Sequence, residues 1–96
     1  MNSKERAKLR SLAQNIRAIG QIGKGGFSDT QIQSFDDAIE KNELIKLKVL
    51  ETCEYIATEA GNILAEKLNA VFVCAVGRTI VLYRRSKREG INHIEF

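Results

Sequence analysis

Proline and tryptophan are absent from these 96 residues, and methionine and histidine occur once each. Without proline there is no polyproline segment and no proline-kinked helix. The two cysteines, Cys53 and Cys74, form no CxxC pair, so neither a disulfide framework nor a zinc site is expected, and a reducing cytoplasm suits them. The lone His93 belongs to no catalytic or metal-binding pattern and reads as a surface residue. Aromatic residues make up 6% of the chain, too few for a base-stacking platform. No apolar run approaches the roughly 18 residues of a membrane span. The opening Met1-Asn2-Ser3-Lys4-Glu5-Arg6 carries no apolar signal stretch. Linkers, repeats and low-complexity tracts are missing too, so one small domain is expected.

What the chain does have is charge, unevenly placed. Residues 1–24 hold six cations against one acid, residues 25–66 nine acids against three lysines, and residues 67–96 six cations against two acids. The net charge of +3 hides this alternation. Basic ends flanking an acidic middle can fold into one positive face that seeks an anionic partner. Ordinary solvated helix surfaces would give the same pattern.

Periodicity supplies the elements. Ser3 caps a first helix, Lys4 to Asn15, with Leu9, Leu12, Ala13 and Ile16 as its buried stripe and Lys4, Lys8 and Arg10 outside it. Arg17 to Ile22 reads as a short strand. Ser28 and Gln31 make a capping box, and Phe27 and Ile32 its hydrophobic staple, opening a second helix that ends near Asn42. Asp36 and Asp37, adjacent on that helix, diverge and read as a solvated face. Leu44 to Leu50 alternates as a strand, with Ile45, Leu47 and Val49 on one face and Lys46 and Lys48 on the other, which predicts an open, basic sheet face.

A third helix, Tyr55 to Leu68, is weakened by Gly61 and stopped by Asn69. Val71 to Val76 reads as a strand buried on both faces. Gly77-Arg78 fits a II′ hairpin turn, and Thr79 to Tyr83 is the return strand. Arg84 to Arg88 is a basic cluster that opens a flexible tail. The order α-β-α-β-α-β-β predicts an α/β fold: a four-stranded mixed sheet covered by helices, each strand–helix–strand crossover giving a parallel pair. Strand order stays open.

Between the first strand and the second helix lies Gln21-Ile22-Gly23-Lys24-Gly25-Gly26-Phe27-Ser28. Glycine admits positive φ and lets a partner reach bare N–H groups. The helix behind adds its dipole and unpaired first-turn donors, and Lys24 adds a mobile charge, so the stretch suits a phosphate. The same residues also serve as a plain strand-to-helix turn. A nucleotide-binding P-loop is excluded, because Lys24 is followed by glycine and not by serine or threonine, and GxGxxG is absent as well.

Four blocks in order resemble the bacterial stand-alone CRM domain (chloroplast RNA splicing and ribosome maturation) of the YhbY type. They are Ser3-Lys4-Glu5-Arg6-Ala7-Lys8-Leu9-Arg10-Ser11-Leu12-Ala13, Gln21 to Gly26, Glu43-Leu44-Ile45-Lys46-Leu47-Lys48-Val49, and Gly77-Arg78-Thr79-Ile80-Val81-Leu82-Tyr83-Arg84. The resemblance implies a fold like the C-terminal domain of bacterial translation initiation factor three over residues 1–84, with 85–96 as a basic, flexible tail. It also implies RNA binding linked to precursor large ribosomal subunits, with the family's GxxG loop on Gly23-Lys24-Gly25-Gly26. KH domains clamp nucleotide backbones with a GxxG loop of their own, set between two helices.

The reading that follows is a non-catalytic RNA-binding module for structured ribosomal RNA. The amides of Gly23, Gly25 and Gly26 and the charge of Lys24 hold phosphates, and Arg6, Lys8, Arg10, Lys46, Lys48 and Arg78 extend the surface. It is expected to be a cytoplasmic monomer without cofactor, metal, membrane contact or small-molecule substrate. The alternative is a protein-binding scaffold on pre-ribosomal particles whose basic face meets an acidic partner.

Overall fold

The computed structural model describes every residue, Met1–Phe96. The elements are α1 (Ser3–Ala13), β1 (Ala18–Ile22), α2 (Asp29–Asn42), β2 (Leu44–Val49), α3 (Ala57–Leu68), β3 (Val71–Val76) and β4 (Thr79–Tyr83). The α/β order and the four-stranded mixed sheet expected from periodicity are both present. No helix is long and apolar enough to cross a membrane.

Local chemistry sets the helix starts. The first cap is Asn2 and not Ser3: Asn2 Oδ1 accepts the Glu5 amide at 2.8 Å and Glu5 Oε1 accepts the Asn2 amide at 3.1 Å. Three residues beyond Ser3 stands Arg6, which has no oxygen to return, so the reciprocal box forms one position earlier. Ser28 and Gln31 form the expected box, at 3.1 and 3.2 Å. α3 begins at Ala57, two residues later than expected, because the Glu59 carboxylate accepts the Ile56 amide. It stops at Asn69, which takes the left-handed conformation.

The strands lie in the order β1-β2-β4-β3. β1 and β2 are parallel, as expected of a right-handed crossover. The second crossover makes no parallel pair, because β4 inserts between β2 and β3 and runs antiparallel to both. This overturns the reading of β3 as buried on both faces. β3 is an edge strand with Val76 57% exposed, and the central strands are β2 and β4, the latter with Ile80, Val81, Leu82 and Tyr83 all buried. The turn between them has positive φ at Gly77 and not at Arg78, as a II′ turn requires.

One sheet face packs under α2 and α3: Ile22, Ile45, Leu47, Val49, Ile80 and Leu82 meet Phe35, Ile39, Ala60, Leu64 and Leu68. The other face, expected to be open, is partly covered by α1 and the C-terminal segment. Leu9 and Ala13 of α1 meet Leu44, Val73, Val81 and Tyr83, with Ile94 packed alongside. Gly61 gains a positive role here, beyond its cost to helix propensity. A Cβ on it would stand 2.6 Å from Phe72 Cε1, so α3 reaches β3 only with glycine at this point.

Residues 85–96, expected to be a flexible tail, are fastened to the α2–β2 junction. A single residue, Glu43, reverses the chain there, with φ 64° and its side chain fully buried. Its carboxylate accepts the Ser86 amide at 2.6 Å and the Ile94 amide at 2.7 Å, and lies 2.6 Å from His93 Nδ1. His93 is therefore no plain surface residue. Phe96 closes edge-on against Tyr83, with ring centroids 5.2 Å apart. Arg84 does not join an exposed basic cluster either. Its guanidinium bridges Asp36, Glu40 and the Leu68 carbonyl, so Asp36 faces a partner as well as solvent.

Two outcomes follow from this packing. Gly61→Ala gains about 1 kcal/mol of helix propensity but forces the Phe72 ring aside at a cost of about 1–3 kcal/mol, and a urea melt should record no gain and a loss of up to about 2 kcal/mol. Burial alone would raise the Glu43 pKa, but the His93 ring and the two amides outweigh it and hold the pKa below its ordinary 4.5. A depressed carboxylate stabilises the fold fully above its unfolded pKa and loses that contribution as pH falls through the folded value. Glu43→Ala should therefore cost about 2–3 kcal/mol at neutral pH, and the gap to wild type should shrink in acid below about pH 4.5. Amide exchange at Ser86 and Ile94 should quicken in that variant.

Candidate nucleic-acid interface

The parallel pairing of β1 and β2 puts both of their C-terminal ends at one end of the sheet. The Leu50 amide donates to the Ile22 carbonyl at 2.8 Å, and the Val49 amide to the Arg78 carbonyl at 2.7 Å. The Gly23–Gly26 loop, the β2–α3 connection and the Gly77-Arg78 turn consequently converge there. Gln31 Nε2 donates to the Gln21 carbonyl at 3.3 Å, which ties the α2 cap to the end of β1 and fixes the loop from both sides.

Gly25 and Gly26 take φ of 91° and 71°, a conformation that side chains disfavour. A Cβ on Gly25 would touch nothing within 4 Å, so the turn faces solvent. The amides of Gly23, Lys24 and Gly25 donate to no backbone carbonyl, and Lys24 is exposed. The Gly26 amide, expected to be a free donor, bonds the Gly23 carbonyl at 3.2 Å and closes the turn instead. Behind the loop, Leu50 and Thr52 back Gly23, and Tyr55 stands beside Gly26 and stacks on Phe27 with centroids 5.8 Å apart.

The helix dipole behind the loop counts for less than the sequence suggested. Ser28 has taken the Gln31 amide, and Asp29 places an acid in the first turn.

The other named cations divide into three groups. Lys48 is exposed on the α1 side of the sheet, in register with Gln21 on β1 and Thr79 on β4. The buried residues of α1, Leu9 and Ala13, pack on Leu44, Val73, Val81 and Tyr83 and leave Lys48 open next to the loop. Arg10 borders the adjoining concavity with Lys46, Val76 and Thr79. Arg78, at the hairpin tip, is paired with Glu51 at 2.9 Å, both side chains being largely exposed. With Lys24 these residues bring four cations to or beside the loop end, where Asp29, Glu51 and Glu54 are also exposed. That Gln21 and Thr79 flank Lys48 was not foreseen, since only the strand register brings them together.

Arg6 and Lys46 do mechanical work. A bulge in β3 between Phe72 and Cys74 turns carbonyls outward, and one Arg6 nitrogen donates to Phe72 O at 2.6 Å and Val73 O at 2.8 Å. Lys46 Nζ donates to the Ile16 carbonyl at 3.2 Å, just past α1. Both side chains fasten α1 to the sheet. Lys8 lies on the far flank of α1 from Arg10, bordering Glu95 and Phe96. Arg6→Ala should therefore lower stability by about 1–2 kcal/mol, whereas Arg10→Ala should leave the urea midpoint unchanged.

The chain is similar to known proteins over nearly its whole length. The sequence is 38% identical over 87 residues to YqeI of Bacillus subtilis, named a probable RNA-binding protein, covering 91% of each chain. It is 25% identical over 91 residues to a Haemophilus influenzae protein named RNA-binding protein, covering 95% of this chain and 92% of that one. The solution structure of SAV1595 from Staphylococcus aureus, described as a candidate RNA-binding protein, superposes with a TM-score of 0.77 at 38% identity, over 98% of this chain and 99% of that one. Residues 1–84 match the CRS1 / YhbY (CRM) domain, the family to which this chain belongs.

Proposed function

We propose that this protein binds structured RNA through its loop end, without catalysing a reaction on it, and acts on ribosomal RNA during large-subunit assembly in the cytoplasm. The observation that carries the reading is the open turn at Gly23–Gly26, whose three unbonded amides and exposed lysine sit at the same end of the sheet as Lys48 and Arg10. Amides and cations of this kind hold phosphate oxygens and position a polynucleotide without reading its bases. The names of the relatives support RNA as the anionic partner. The Phe27–Tyr55 pair stays half-buried against the core, which favours backbone contact over base stacking.

Lys24→Ala is the direct test. RNA affinity should fall while the melting temperature stays the same, because the side chain is exposed. The slope of log affinity against log salt should flatten by about 0.9 for duplex RNA or about 0.7 for single strands, one phosphate's share. Wild-type affinity and slope in this variant would remove the loop from the interface. Crosslinking in cells with sequencing of the captured RNA names the target; capture without large-subunit ribosomal sequences would refute the assembly role. Co-sedimentation with pre-ribosomal particles that survives RNase would point to an acidic protein partner instead.

A further inference from the structure

The cations do not gather on one face. At the opposite end of the sheet from the glycine loop, where β2 begins, the ends of α2 and α3 meet residues 84–88. Arg84 bonds the Leu68 carbonyl at the end of α3, and Glu40 near the end of α2 accepts the Ser86 hydroxyl at 3.0 Å and the Lys87 amide at 2.6 Å. Lys41 and Lys67 occupy those helix ends, and Arg85, Lys87 and Arg88 the segment between them; all five are exposed and none is ion-paired. Of the acids adjacent in sequence, Glu66 and Glu89 are exposed and unpaired, while Glu40, next to Lys41, is taken up by Arg84, Ser86 and the Lys87 amide.

The way this segment is held explains why its charges stay free. Glu40 and Glu43 grip it largely through neutral donors: the amides of Ser86, Lys87 and Ile94 and the Ser86 hydroxyl. The Ser86 hydroxyl also accepts the Arg88 amide at 3.1 Å, which fixes the backbone between the three cations. Of the basic side chains here only the Arg84 guanidinium and the His93 ring turn inward to the carboxylates. A segment anchored by its backbone presents its side chains without a further cost of ordering the backbone on binding.

We propose that Arg85, Lys87 and Arg88, flanked by Lys41 and Lys67, form a second phosphate-contacting surface, so that one molecule grips RNA at both ends of its sheet. The proposal rests on the RNA reading above and adds a geometric demand to it. β2 has six residues, which at about 3.3 Å each separate the two ends by about 20 Å. A partner reaching both is a folded RNA with phosphates on more than one turn or strand, and shape-reading domains commonly meet duplex RNA in that way.

The test uses the full chain and a duplex RNA of about 16 base pairs, the span of a small shape-reading domain. Affinity is measured across a salt series for wild type, for Lys24→Ala, for the triple variant Arg85→Gln, Lys87→Gln, Arg88→Gln, and for Lys41→Gln with Lys67→Gln. The triple variant should flatten the salt slope by about 2–3 and the helix-end pair by about 1–2, at roughly 0.9 per phosphate. Melting temperatures should match wild type, and Lys24→Ala should add its own loss independently. The helix-end pair leaves the C-terminal segment untouched, so it reads the surface even where the triple variant disturbs folding. Wild-type slopes in both glutamine variants, with Lys24→Ala still weakened, overturn the second surface and leave the loop reading intact. Absence of RNA binding by the wild-type protein overturns both. Unchanged slopes together with lost co-sedimentation on RNase-treated particles assign these residues to a protein contact, and overturn the proposal as well.

Discussion

Glu43 is the residue on which the arrangement of the chain ends depends. A carboxylate taken wholly out of water is tolerated only when its oxygens are met by donors of good geometry. Here Oε1 takes one amide, Oε2 takes a second and faces an imidazole, and the residue's own carbonyl accepts the Arg84 amide at 2.9 Å. The backbone conformation is unfavourable for a non-glycine residue, yet glycine could not supply the carboxylate. One position thus turns α2 into β2 without a loop and binds the strand end of β4 to the residues that follow it. The strain and the buried charge are both offset by the segment they recruit.

Fastening that segment has consequences along the sheet. Ile94 and Phe96 extend the apolar cover begun by Leu9 and Ala13 of α1, so the half of the sheet nearest Glu43 is closed on both faces. The half nearest the glycine loop is closed only by α2 and α3. Lys48 is exposed for that reason, while Lys46, two residues earlier on the same face, is half-buried and bonded to Ile16. The exposed lysine and the open turn share an end because the cover runs out there.

Local rules recovered most elements from the sequence, and their failures have physical causes. The Ser28–Gln31 box and the Asn69 stop depend on side chains within a few residues, so they were legible. Strand order was not, because Val71–Val76 is as apolar as a central strand, yet it is its hairpin partner β4 that joins β2 as a strand paired on both sides. An apolar run records that a strand packs somewhere, and pairing decides where. Gly61 reads as a weak point until Phe72 is placed on it. The loop residues of the candidate site were legible because glycine conformation is a local matter. The status of Arg6, Lys46 and Arg84 was not, since each finds carbonyls or carboxylates from distant parts of the chain.

The same long-range contacts correct what composition suggests about charge. Nine acids in residues 25–66 look sufficient to neutralise the basic ends. Asp36, Glu40 and Glu43 are drawn inward, however, and satisfy one arginine, one histidine and a set of uncharged donors. A carboxylate that accepts from an amide still contributes its charge to the total, but from a position where it pairs with no surface cation. Exposed lysines and arginines then act at short range on whatever approaches, over distances comparable with the Debye length of about 8–10 Å at ordinary salt. The net charge of +3 is therefore an average over an uneven surface, with Asp29, Glu51 and Glu54 exposed near the loop and Glu40 and Glu43 turned to the C-terminal segment. That unevenness depends on the fold holding some of its acids in, which returns the electrostatics of the surface to the buried carboxylate at the α2–β2 turn.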